Sequence, residues 1–518
     1  MKINKKSLLY GTMILSAANL IVRLLGFGYR VFLSRMIGPQ GMGIVQLVFP
    51  VFQIAVTLTA AGIPVAVSRM VAENRAKNNV RGMHKTVATA VTLVIAVSLT
   101  LALTALLNLD FIAQVIIKDE RTKGALFIIF PCVTIIGLGA SLKGYFYGQK
   151  NIHPPAIAEV VEQLVRMTVA ITLIYLLAPG NNYSLAASLV MLGTIFGELA
   201  SLLFLHINYH KSKKTLKYAV KQPLQKTREN YLKTLLSIAV PITSTRLVNS
   251  LMAAANSIMI PQRLMAGGLL KEEAVGLFGI LSGMVMPLLF LPFTITNALS
   301  VIIIPNLSEN LALSNWRAIN DKISKAIRLT CMIAFPSTAL LAALGRPIGY
   351  VLYKQPMVGT LLIPISYTLL FHALQHTCSG ILNGLGKQTR AAVHFIIGSV
   401  IQLACTYFLL ANPYIRLFGI IVGFTLSSLV VSILNLVTVL KTAKMSFQFK
   451  HWLLKPGFAG LLMGLTTHSI YGVLAGLGTP VVTSIIVSSV LGMFIFLLVL
   501  WAVNGLPSRD FFRKHIGE

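Results

Sequence analysis

Between Thr12 and Ser34 the chain reads T-M-I-L-S-A-A-N-L-I-V-R-L-L-G-F-G-Y-R-V-F-L-S. Wound as a helix at about 100° per residue, Thr12, Ser16, Asn19, Arg23, Arg30 and Ser34 fall within an arc of roughly 60°. The remaining surface is Leu, Ile, Val, Ala and Phe. An arginine at mid-membrane costs about 3 kcal/mol on insertion scales, so a stripe with two of them predicts a wet, protein-lined cavity. Snorkelling from a helix end is the plainer alternative, stronger for Arg30 than for Arg23. A guanidinium offers a planar fork of donors that grips phosphate bidentately, so the chemistry expected of this stripe is anion recognition.

Few other charges lie in apolar surroundings. Arg166 and Arg246 sit deep in apolar runs, and Arg69 and Lys143 lie near predicted helix ends, where snorkelling is expected. Three acids, Glu159, Glu162 and Glu198, are found in such runs. Glu162 and Arg166 are four residues apart and can neutralise each other on one helix. Glu162, Arg166 and Glu198 are therefore candidates for either an ion-coupling role or a structural ion pair.

These residues need a membrane-spanning scaffold, and composition supplies one. The 518 residues are 56% hydrophobic and 11% charged, with a mean hydropathy of +0.79. Soluble domains carry about 25% charged residues. Fourteen apolar runs are long enough to span, at approximately 8–36, 41–71, 84–107, 123–147, 154–178, 184–209, 232–262, 274–305, 324–344, 359–384, 391–411, 416–440, 452–474 and 480–503. The fold class expected is an all-α polytopic membrane protein. The basic start followed by an apolar run is read as a first span, since the run is too long for a signal peptide and contains Arg23. The four cysteines lie in apolar runs without metal spacing.

Loop cations give the orientation. The set containing Lys2, Arg75, Lys150, Lys211–Lys233, Arg317, Lys387, Lys441 and Arg509 holds 29 cations, and the alternate set holds 9. The positive-inside rule then places both termini in the cytoplasm. It also absorbs most of the net charge of +30, which argues against nucleic acid as a partner.

The chain repeats internally. Glu73–Arg81 matches Glu309–Arg317 at five of nine positions with an offset of 236, which also maps Gly43 onto Gly279, Gly144 onto Gly380 and Gly148 onto Gly384. At offset 227 the polar stripe recurs on the seventh span, again with an arginine, Arg246. The expected division is 1–210, an N-terminal six-helix lobe; 211–233, a basic linker; 234–441, a second six-helix lobe; 442–505, two added helices; and 506–518, a tail. Two parallel repeats suit a transporter that alternates access to a central site. Gly144-x-x-x-Gly148 and Gly380-x-x-x-Gly384 are expected to serve close helix packing.

R-L-L-G-F at Arg23–Phe27, the following F-L-S-R-M-I-G-P-Q-G-M-G and G-I-P-V-A-V-S-R-M-V-A-E at Gly62–Glu73 resemble the multidrug/oligosaccharidyl-lipid/polysaccharide exporter superfamily. Within it the chain is similar to the stage V sporulation protein B branch of polysaccharide transporters and to MurJ-type lipid II flippases. The resemblance implies two six-helix lobes in a V around a cationic cavity, with two extra helices forming a lipid-tail groove. It also implies substrate-binding roles for Arg23 and for Arg263, the latter in Arg263-Leu264-Met265. A further family arginine on helix 2 has no counterpart, since the chain reads Val56-Thr57 and Ala60-Ala61-Gly62, and acidic sodium ligands reported on helices 7 and 12 are unmatched.

The function expected is export of an undecaprenyl-pyrophosphate-linked saccharide, above all a peptidoglycan precursor such as that of spore cortex. Arg23, Arg30, Arg246, Arg263 and Asn19 would bind the substrate. The alternative is a cation-coupled multidrug antiporter of the same superfamily, which should present acids to its cargo. No phosphate-cradling glycine loop, metal cluster or nucleophile triad stands out, so neither an enzyme nor a cofactor is expected. An ion gradient or the membrane potential would drive transport. A monomer in the cell membrane is expected, with membrane lipids and the lipid-linked oligosaccharide as partners.

Overall fold

The structure, a computed structural model, describes residues 5–177, 180–219, 230–293 and 307–505. The tail 506–518, residues 220–229 of the linker and residues 294–305 of the eighth span lie outside the described residues. Among the described residues the chain is all-α. Apolar backbone in a membrane must satisfy its hydrogen bonds within each segment, and helices do so.

Nine helices open the chain: α1 Lys5–Ala60, α2 Ile63–Ala76, α3 Val80–Leu107, α4 Lys123–Ile129, α5 Cys132–Gly148, α6 His153–Leu177, α7 Tyr183–Ala219, α8 Tyr231–Ala266 and α9 Lys271–Gly279. Then follow α10 Trp316–Tyr353, α11 Pro356–Ser366, α12 Thr368–Gly384, α13 Gln388–Leu409, α14 Phe418–Ala443, α15 Lys455–Gly476 and α16 Val481–Ala502. Eleven described helices are long and apolar enough to span, or thirteen when the bent pairs α4–α5 and α11–α12 each count as one crossing. One of these, Ala17–Ala76, has 60 residues. At 1.5 Å per residue that is about 90 Å, three times a hydrocarbon core of about 30 Å. Gly38 breaks it with φ 68° and ψ −178°. Glycine adopts that conformation at little cost, and Pro39 disfavours a helical residue before it. Two crossings within that run bring the count to the expected fourteen.

The repeat is written into the backbone. Left-handed residues recur at offset 236: Asn78 and Ser314 (φ 54° and 53°), Lys118 and Lys354 (62° and 56°), Lys150 and Gly386 (60° and 72°), Gly180 and Arg416 (53° and 44°). Non-glycine residues rarely take positive φ, so four coincidences at one offset are specific. Asn79 and Asn315 both cap the following helix, accepting from the Gly82 and Ala318 amides. The α4–α5 and α11–α12 bends, of 40° and 57°, resume at Cys132 and Thr368, the same offset again.

By packing, the chain divides into Met1–Met265 with Leu269–Gly283, and Ala266–Gly268 with Met284–Glu518. Sequence repeat and packing unit thus divide at different places, for α8 and α9 pack with the first unit. The core of that unit joins α2, α3, α5 and α7 through Val67, Val71, Ala90, Tyr145, Phe146 and Leu205, and reaches Leu235 of α8. The glycine stripe of α5 faces α2. A Cβ at Gly144 would stand 2.9 Å from the Pro64 carbonyl oxygen, and one at Gly148 would stand 2.6 Å from that of Ser68. Only glycine permits that approach. In the second unit α10, α12 and α14 enclose a core that includes fully buried Trp452. The added helices α15 and α16 pack through Ala459, Met463, Phe496 and Leu500 against Met332 and Ala339 of α10.

Candidate functional site

The charges of α5, α6 and α7 meet. Gly193 and Gly197 let α7 press on α6: a Cβ there would stand 2.8 Å from the Arg166 carbonyl oxygen and 2.7 Å from that of Glu162. That approach sets Glu198 Oε1 of α7 3.5 Å from Arg166 Nη2, which also contacts Glu162 Oε1 one helical turn away. From α5, Lys143 Nζ lies 3.8 Å from Glu159 Oε1 and 3.9 Å from Glu162 Oε2. Lys143 therefore turns into the helix bundle instead of snorkelling, because two carboxylates of the adjacent helix attract it. The network holds three carboxylates against two cations, with side chains 15–25% exposed. Arg69, by contrast, is exposed and pairs with Glu73 at 3.0 Å. The sequence did carry a signal for Lys143: Arg166 alone cannot balance three buried acids.

The predicted substrate residues occupy three places in the first unit. Asn19, Arg23 and Arg30 are exposed on the first half of α1. This half packs on α6, where a Cβ at Gly26 would meet Gln163 Nε2 at 3.7 Å. The side chains of Thr12 and Ser16 lie outside the described residues. Arg246 lies on α8 and lines a cavity of about 370 Å³ with Gln53, Val56, Thr57, Asn249 and Ser250. Thr57 Oγ1 and Ser250 Oγ are hydrogen-bonded at 2.9 Å and join the second half of α1 to α8. A neighbouring cavity shares Gln53, Asn249 and Ser250 and continues to Phe49 and Pro50. The first cavity includes Val56, Thr57, Ala60 and Ala61, the stretch that lacks a helix-2 arginine. Among the described residues its lining holds one cation and no acid.

Arg263 is half-buried in the last turn of α8, where a cation suits the helix dipole. Beside it the Gln262 side-chain amide donates to the Ile116 carbonyl at 3.1 Å. An ion cluster that sequence reasoning missed stands nearby. Asp119 is buried and accepts from Arg121 Nε at 2.9 Å and Nη2 at 2.7 Å. Lys271 Nζ lies 3.5 Å from it, and Glu272 lies 4.0 Å from Arg121. Burial pushes the Asp119 carboxyl up, but the Arg121 hydrogen bonds and charge, with Lys271, outweigh it and hold the group below 3.8. Loop-cation counting had treated Arg121 and Lys271 as topology signals only.

This fold and charge pattern define a class, the transporters of the multidrug/oligosaccharidyl-lipid/polysaccharide exporter superfamily. A multidrug-resistance MATE transporter of that superfamily, solved in an inward-facing conformation, superimposes with a TM-score of 0.67 at 15% identity, covering 84% of this chain and all of that one. A superfamily transporter from Pyrococcus furiosus, described as having a binding pocket of reverse polarity, gives 0.60 at 17% identity, over 84% and 95% of the two chains. Residues 8–311 match the polysaccharide biosynthesis protein family, and residues 247–408 match the MatE family. Stage V sporulation protein B of Bacillus subtilis (strain 168) is 30% identical over 453 residues, 87% of each chain. The lipid II flippase MurJ of the same organism is 22% identical over 416 residues, 76% of each. The chain belongs to the polysaccharide biosynthesis protein family, in the branch that contains stage V sporulation protein B.

Proposed function

We propose that this protein flips an undecaprenyl-pyrophosphate-linked saccharide, a lipid II-like peptidoglycan precursor, across the cell membrane, with both termini in the cytoplasm. It moves the lipid without chemical conversion. The observation that carries the reading is the polarity of the cavity between α1 and α8: among the described residues it holds Arg246 with amides and hydroxyls, and no carboxylate. A pyrophosphate gains charge-assisted hydrogen bonds in such a lining, whereas a cationic drug finds no counter-charge. Arg23 and Arg30 add two further cations on α1, and Arg263 adds one at the end of α8. Kinship with stage V sporulation protein B and MurJ supports a lipid-linked substrate. The added helices α15 and α16 would carry its polyprenyl tail, and an ion gradient or the membrane potential would drive the cycle.

Reconstitution tests this reading. Purified protein in liposomes with fluorescent lipid II should expose the label on the far leaflet, faster than with unrelated polyprenyl-linked glycans. Transport of a cationic dye without lipid II movement would replace the reading with drug antiport.

A further inference from the structure

A second cavity of the first unit does not touch the arginines of α1 and α8. It measures about 620 Å³ and opens at the end of the helices that carries Arg75, Lys77, Arg81 and Lys150. Arg75 and Lys211 line it together with the amides of Asn78, Gln149, Asn151 and Asn208. Among the described residues no carboxylate lines it, and the nearby Glu73 is engaged by Arg69 at 3.0 Å. One guanidinium nitrogen of Arg75 donates to the Gln149 carbonyl, and Ser212 donates to Gln149 Oε1 at 3.3 Å. Tyr145 OH lies 3.1 Å from Ser212 Oγ and anchors that side chain from the core. These bonds tie the last turn of α2, the end of α5 and the long α7 into one frame.

The internal repeat supplies a control. At offset 236 Arg75, Met83, Phe146 and Gln149 become Leu311, Ile319, Leu382 and Leu385. All four sit in or against the buried core of the second unit, closed by Trp452. The chain reaches that closure because α14 stops at Ala443 and Lys444 turns left-handed, with φ 49°. Trp452 Nε1 then donates to Ser324 Oγ at 3.0 Å. The matching helix of the first unit, α7, runs straight on to Ala219 and carries Lys211 and Ser212 past the opening. Packing alone needs none of the polar residues here, since the same scaffold closes with leucine and tryptophan one repeat later. An open, acid-free, amide-rich and cationic version of that position is a site for an anion.

We propose that this cavity binds a phosphate group. Basic pockets between spanning helices on the cytoplasmic side suit anionic headgroups, and two cations with several amide donors match a phosphate's oxygens. The two sources of that chemistry are an anionic phospholipid and a soluble phosphate. The site stands independently of what the protein transports.

The test uses the full-length protein in nanodiscs. Native mass spectrometry counts phosphatidylglycerol retained from a phosphatidylglycerol–phosphatidylcholine mixture. Titration calorimetry in phosphatidylcholine discs measures inorganic phosphate. The wild type should hold one of the two probes, and the probe held assigns the source. The double variant Arg75→Gln with Lys211→Gln should lose about tenfold or more in affinity, the scale of one charged hydrogen bond. Arg75→Lys with Lys211→Arg should keep binding. Gln149→Leu, the residue of the second repeat, should lose binding at unchanged thermal stability, which covers the case of a double variant that misfolds. Lys387→Gln with Arg390→Gln, at the corresponding end of the second unit, should change nothing. Failure of the wild type to bind either probe, full binding by the double variant and Gln149→Leu, or an equal loss in the Lys387/Arg390 variant would each overturn the proposal.

Discussion

Gly43 and Gly279 occupy the same position in the two repeats, 236 residues apart, and they touch each other. A Cβ on Gly279 would stand 2.5 Å from the Gly43 amide nitrogen and 2.9 Å from its Cα. A Cβ on Gly43 would stand 2.9 Å from the Val275 carbonyl carbon. α1 and α9 therefore cross there backbone to backbone.

Gly279→Ala is therefore expected to destabilise by about 1–3 kcal/mol, because backbone rather than a flexible side chain must give way. Gly276→Ala is its control. A Cβ there meets Gln40 Cγ at an ordinary 3.5 Å, and the helix gains up to about 1 kcal/mol from alanine. Thermal unfolding in detergent should separate the two with opposite signs. Equal melting points would remove the close crossing.

The network on α5–α7 predicts non-additivity. Arg166→Gln alone leaves three carboxylates facing Lys143 and should cost about 1–3 kcal/mol, less than a fully buried pair because the side chains are partly exposed. Adding Glu162→Gln restores the wild-type charge balance, so the double variant should be closer to wild type than Arg166→Gln. Additive losses in melting temperature would show that the two charges act independently.

Asp119 gives a pH dependence with a defined sign. Its carboxyl is held below 3.8, so its contribution is present above that value and is lost as pH falls through the lower folded value. Asp119→Asn should lower the melting point at neutral pH and flatten its fall in acid. An unchanged acid limb in the variant would assign that limb to other carboxylates.

Orientation is tested by labelling in a cysteine-free background. Asn182→Cys and Lys214→Cys lie at opposite ends of α7 and should react with an impermeant maleimide from opposite sides, Asn182→Cys from outside. Reaction of both from one side would discard the loop-cation assignment.

Spans and repeat were legible because both are local. Hydropathy records contact with a single solvent, and among the described residues the long apolar runs are helical. Gly38-Pro39 falls in the gap between the first two predicted spans, 8–36 and 41–71, and its backbone chemistry breaks α1 there. Partnerships between helices were not legible. Nothing on α5 itself says that Lys143 faces Glu159; the hint lay on α6 and α7, where three acids outnumber Arg166. The Asp119 cluster joins residues more than 150 positions apart. The cavity at Arg75 becomes recognisable only when its filled counterpart around Trp452 can be seen. Of the two arginine-bearing stripes, the sequence located the cations but not their surroundings: Arg246 lines the cavity that Gln53, Thr57 and Ser250 complete, while Arg23 and Arg30 stand exposed on the first half of α1.

The most direct measurement is the initial rate of fluorescent lipid II flipping in proteoliposomes for wild type, Arg246→Gln, Arg246→Lys and Arg23→Gln at matched protein content. Loss of a bidentate contact to pyrophosphate is worth about 1.5–3 kcal/mol, so both glutamine variants should fall roughly tenfold or more, with lysine recovering part of the rate. Their insertion and melting should remain near wild type, because removing a cation eases membrane residence. Wild-type flipping by Arg246→Gln and Arg23→Gln would contradict a cationic substrate cavity.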